Sequence, residues 1–168
     1  TTEIYTLSLH DALPISLKWF QDDLQKYGQA KEYIDTLLIP LQKFQISDDA
    51  NIQNDAFQRE VLGIFANEIE KELSGRLMLA PTYFYLKSAD QTSEIKRINE
   101  WIEEVKKQPF ENIFLMTFDN SWKKVERELD GNLLWLPGMK PMDIQSKEAV
   151  TIIRNQIEQI SELIRSYW

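Results

Sequence analysis

The residues best placed to do chemistry fall in four short strings, each following an apolar run. They are Pro40; Pro81-Thr82-Tyr83; Thr117, Asp119 and Ser121; and Pro137-Gly138 with Lys140. In an open α/β sheet, ligands bind outside the carboxyl ends of the strands, so residues that follow such runs share one rim. Asp119 can act there as a general base, or hold Mg²⁺ where other oxygens converge on it. Thr82, Tyr83, Ser121 and Lys140 complete the candidate ligand-binding set, and the Tyr83-Phe84-Tyr85 string can stack on a ring-shaped ligand. Each also has a plain structural reading, which is the favoured one. Asp119-Asn120-Ser121 turns the chain and caps a helix. A proline at a strand end stops hydrogen bonding. Strand alternation sends Tyr83 and Tyr85 to one face and Phe84 to the other, which suits packing.

Much chemistry is missing. There is no G-x-G-x-x-G and no G-x-x-x-x-G-K-[ST], so no loop is built to cradle a pyrophosphate. The chain has no cysteine, which removes thiolate catalysis and disulfides and suits a reducing cytosol. Its one histidine, His10, lies in a segment set aside below, so Ser-His pairs and zinc sites built on His or Cys are excluded. No cofactor or protein-held metal is expected. Lys106-Lys107 and Lys123-Lys124 are isolated pairs near helix ends, where they complement the helix dipole. The net charge is −8 with no basic stripe, which disfavours nucleic acid. No apolar run approaches the ~20 residues that span a bilayer.

Residues 1–15, Thr-Thr-Glu-Ile-Tyr-Thr-Leu-Ser-Leu-His-Asp-Ala-Leu-Pro-Ile, match codon for codon the frame translation of a common Illumina sequencing adapter, with the junction inside codon 16. Residues 1–16 are therefore expected to stand outside the fold. Without Glu3 and Asp11 the 27 acids become 25, and the net charge moves from −8 to −6.

The elements that must position the candidate residues lie in one domain, 17–168. A helix is predicted over Trp19–Tyr33. The continuous apolar run Thr36–Leu41 reads as a strand covered on both faces, with a polar loop, Gln42–Gln53, after it. Asn54 or Asp55 caps a helix striped by Phe57, Val61, Ile64, Phe65, Ile69 and Leu73, and Gly75 stops it. A second strand runs from Leu77 towards Tyr85. Thr92 or Ser93 caps the next helix, Asn112–Phe118 is the third strand, and Ser121 caps a short helix that Gly131 closes. Leu133–Leu136 is the fourth strand. Ser146 caps a last helix with Val150, Ile153, Ile157, Ile160, Ile164 and Tyr167 at helical spacing. Alternating strands and helices imply a three-layer α/β sandwich with a four-stranded, mainly parallel sheet in a flavodoxin-like layout.

Residues 17–168 resemble the YpiF-like family of uncharacterised proteins from low-GC Gram-positive bacteria. The matching strings are Lys18-Trp19, Ala30-Lys31-Glu32-Tyr33-Ile34-Asp35-Thr36, Leu38-Ile39-Pro40-Leu41 and Leu79-Ala80-Pro81-Thr82-Tyr83. The resemblance implies an initiator near Leu17 and implies no activity. On the residues, the favoured function is a non-catalytic interaction or regulatory domain of the cytoplasm whose partner is another protein; the last helix's stripe suits packing on the sheet, the favoured reading, or pairing with a partner helix. The alternative is a small-molecule-binding protein or Mg²⁺-dependent enzyme with its site at the strand ends. A concave pocket in which Asp119 meets a second carboxylate favours the alternative.

Overall fold

The computed structural model describes residues 16–168; the adapter-like string and His10 lie outside them. Helix α1 (Gln21–Ala30) runs into a 3₁₀ turn at Lys31–Tyr33 and leads to β1 (Thr36–Phe44). Then come α2 (Ile52–Glu72), β2 (Leu77–Leu79), β3 (Tyr83–Leu86), α3 (Gln91–Val105) and β4 (Asn112–Thr117). A 3₁₀ helix (Asn120–Glu128), β5 (Asn132–Trp135) and α4 (Lys147–Arg165) complete the order.

Among the described residues every strand pairing is parallel, in the order β2-β1-β4-β5 with β3 also on β1. Alternation along each strand feeds two cores. Leu38, Leu77, Leu79, Phe114, Met116 and Leu134 pack with α2 and α4. Leu37, Ile39, Leu41, Tyr83, Tyr85, Ile113 and Leu115 pack with α1, α3 and the 3₁₀ helix. Helices thus cover both faces, which is why β1 and β4 are almost wholly buried. The stripe of α4 is used here: Ile153, Ile157, Ile160 and Ile164 belong to the core with α2. No described helix is long and apolar enough to cross a membrane.

Among the described residues the sheet has five strands where four are expected. The run from Leu77 breaks at Ala80-Pro81-Thr82, because those three residues face only Ile39 and Pro40 of β1. One extra residue makes a bulge. The same break explains how Pro40 sits inside the central strand. The Leu38 carbonyl accepts the Ala80 amide at 2.9 Å, so by alternation Pro40 turns its missing N–H towards the bulge, where no ladder bond is needed. Consequently β1 does not end near Pro40 but continues to Phe44, through part of the expected loop.

Capping departs from expectation in detail. Ser146 does cap α4, accepting the Ala149 amide. At α3 the cap is Asp90, which accepts from Ser93, and at the 3₁₀ helix it is Asp119, which accepts from Ser121. Asn51 precedes α2 without a side-chain cap bond, so Asn54 and Asp55 lie inside the helix's first turn. Gly75 takes φ 90°, the left-handed conformation that ends α2.

Residues 16–18 line the outer edge of β2. The Leu17 carbonyl accepts the Leu79 amide at 2.8 Å, and the Leu17 side chain is fully buried. Their anchor is Glu70, a carboxylate with no exposure in the last turn of α2. It accepts the Leu17 amide at 2.5 Å, the Ser16 hydroxyl at 3.1 Å and the Lys18 ammonium at 3.2 Å.

Candidate functional site

A cavity of about 340 Å³ opens at the carboxyl ends of β1, β3 and β4. Its floor and walls come from Leu41, Gln42 and Lys43 of β1, Tyr85 of β3, and Thr117, Phe118 and Asp119 at the end of β4. Asn54, Asp55 and Gln58 of α2 face residues 138–141 of the loop after β5. The place follows from topology. From β1 the chain crosses to β2 on one side, and β4 lies on the other, so the connections diverge and leave a crevice.

Opposite charges meet in this crevice. Lys43 Nζ lies 3.5 Å from Asp55 Oδ1. Asp55 Oδ2 also accepts the Gln45 carboxamide at 3.0 Å. Lys87, just beyond β3, stands 3.8 Å from Asp55 and 2.8 Å from Asp48. With the Asn51 carboxamide, Lys87 holds the Asp48 carboxyl down at about 2. This network ties the loop between β1 and α2 to the end of β3. Asp48 is thus engaged by a cation.

Asp119 is the second carboxylate. Its Oδ2 accepts the Tyr85 hydroxyl at 2.7 Å, its Oδ1 accepts the Ser121 amide at 2.9 Å, and its own amide donates to Thr117 Oγ1 at 2.9 Å. Burial pushes its carboxyl up, but the Tyr85 hydroxyl, the Ser121 amide and the Lys43 charge outweigh that and hold it below the usual carboxylate range. Burial, reinforced by the Asp119 charge, pushes the Tyr85 phenol far above its ordinary value. Tyr85 therefore stays a neutral donor and Asp119 a charged acceptor. A carboxylate so stabilised is a weak general base and a strong anchor for a ligand's donors.

The wall opposite Lys43 is held by one side chain. Gln58 donates to the Met139 carbonyl at 2.6 Å and accepts the Met139 amide at 3.2 Å.

Of the residues singled out from sequence, Asp119 and Lys140 line the cavity; Thr82, Tyr83 and Ser121 are not among its lining residues. Thr82 sits in the bulge. Tyr83 is fully buried, its hydroxyl donated to Glu94 and its ring 5.2 Å from Trp101. Ser121 donates its amide to Asp119. Lys43, Asn54, Asp55 and Gln58 were not singled out for a site. The available signals were the apolar-to-polar tail of β1 and the acid in the first turn of α2. Among the described residues, no three of His, Cys, Asp and Glu converge to hold a metal ion.

A profile of DUF2487, described as a protein of unknown function, matches residues 25–168. The chain is 31% identical over 107 residues to the uncharacterized protein YpiF of Bacillus subtilis strain 168, an alignment covering 64% of this chain and 69% of that protein. No solved structure matches.

Proposed function

Since the chain belongs to the DUF2487 family of proteins of unknown function, we propose that it binds a small polar molecule in the strand-end cavity, without catalysing its conversion. One observation carries this reading: Asp119 and Asp55 line the same concave site, where Lys43 pairs with Asp55 and its charge favours the ionised Asp119. Its volume of about 340 Å³ sits at the lower end of the range for small-ligand sites. The Lys43 ammonium already offsets the carboxylates, which favours ligand anchoring over Mg²⁺-assisted chemistry. Asp119, held ionised, is suited to receive donors rather than protons. The absence of cysteine supports a cytoplasmic setting.

A thermal-shift screen of small polar metabolites tests the reading. A ligand present at ~100 times its Kd stabilises the folded chain by about 2.7 kcal/mol. The stabilisation is expected to vanish in Asp119→Asn and Lys43→Met. A stabilising ligand indifferent to both substitutions would place the site elsewhere.

A further inference from the structure

Strand β3 pairs with β1 and with no other described strand, so it leaves an open edge. The Lys87 amide donates to the Phe44 carbonyl at 2.9 Å. By alternation, Tyr83 and Tyr85 also face β1, while Phe84 and Leu86 turn their amides outward. The side chains on one face of this edge are apolar and exposed: Phe44 at 52%, Phe84 at 46% and Leu86 at 55%. A groove of about 430 Å³ joins them to Tyr85, Glu94 and Arg97, which lie on the opposite face. The groove thus straddles the strand edge. An extended chain added there sends successive side chains to both faces and finds backbone partners at Phe84 and at the Leu86 amide, the Leu86 carbonyl already accepting the Ala89 amide at 2.9 Å.

Charge selects the occupant. Glu94 is buried and already accepts the Tyr83 hydroxyl and Arg97 Nη1. Arg97 lies over the Tyr83 ring at 4.9 Å with its side chain 55% exposed. The member of this ion pair that reaches solvent in the groove is therefore the Arg97 guanidinium. We propose that the β3 edge docks an extended segment of another protein, with apolar residues at alternate positions and an acidic residue between them facing Arg97. A second copy of this chain fits poorly. Antiparallel pairing centred on Tyr85 sets Lys87, already held by its own Asp48 at 2.8 Å, opposite the Tyr83 position of the other copy, so a second copy brings no unpaired carboxylate to Arg97. This surface shares Tyr85 alone with the lining of the strand-end cavity and stands whether or not that cavity binds a ligand.

The test is an amide-shift titration of the full chain with two capped pentapeptides, Val-Glu-Val-Glu-Val and Val-Lys-Val-Lys-Val. The Phe84 and Leu86 amides are expected to shift saturably. The glutamate peptide should bind about threefold more tightly than the lysine peptide, the size of an exposed ion pair. Arg97→Gln should erase that preference while leaving binding in place. Equal affinities for the two peptides in the unsubstituted chain would overturn the proposal, as would silence at Phe84 and Leu86. A dimer in light scattering that Phe84→Asp dissociates would also overturn it, by assigning the edge to a second copy.

Discussion

Gln58 lies so close to Gly138 that a methyl group on the glycine would stand 2.6 Å from Gln58 Oε1. The same carboxamide clasps the neighbouring Met139 through both its amide and its carbonyl. A turn of α2 and a loop 80 residues later are thereby joined at the cavity wall.

Gly138→Ala therefore displaces the Gln58 carboxamide and breaks what Gln58→Ala removes outright. Each substitution is expected to cost about 1–2 kcal/mol in urea unfolding. The double variant should cost little more than either alone, because the two act on one contact. Additive losses would show that Gly138 matters for some other reason.

Asp119 and Tyr85 give a pH signature. The folded Asp119 carboxyl lies below its ordinary value, so its contribution is present above the unfolded pKa of ~3.9 and is lost as pH falls through the folded value. Tyr85→Phe removes a donor to this charge and is expected to cost about 1–3 kcal/mol near neutral pH. The penalty should shrink once Asp119 is protonated. Carboxyl titration by carbon NMR should show Asp119 rising in Tyr85→Phe; an unchanged titration would remove Tyr85 as a cause.

Glu70 makes the amino-terminal edge part of the fold. Lys18→Met leaves a fully buried carboxylate with its amide and hydroxyl donors but no cation, and is expected to destabilise by about 1–3 kcal/mol, discounted for the partial exposure of Lys18. Adding Glu70→Gln to Lys18→Met removes the uncompensated charge while keeping an acceptor for the Leu17 amide, and should recover part of the loss. A double variant worse than the single one would contradict this view of Glu70.

Trimming separates the adapter-like string from the edge. A chain starting at Ser16 is expected to match the 168-residue chain in denaturant midpoint, whereas one starting at Phe20 loses the buried Leu17 and all three Glu70 donors named above. That second trim should cost at least ~3 kcal/mol. A large loss already on starting at Ser16 would give residues 1–15 a structural role.

The layered architecture was legible because its signals are local. Continuous apolar runs such as Leu37-Leu38-Ile39 read as strands covered on both faces, and Tyr83-Phe84-Tyr85 divided between faces as alternation requires. The cavity was half legible. Asp119 and Lys140 follow strands β4 and β5, so the strand-end rule reached them. Lys43 escaped because Pro40 looks like a strand terminator, and its tolerance depends on a bulge in the neighbouring strand. Gln58 escaped because a glutamine on a helix face carries no mark of the distant Met139 backbone it holds. Asp55 looked like a cap because helix starts are set by turn geometry at Asn51, which a single residue type does not disclose.

The central claim is that Lys43, Asp55, Tyr85, Asp119 and Lys140 form a ligand site. Amide-shift mapping of the full chain with any small polar ligand found by the thermal screen addresses it directly. Saturable shifts concentrated at these residues and at Met139, abolished by Asp119→Asn, are the predicted result. Shifts that converge on another part of the surface, with the strand ends unmoved, would contradict it.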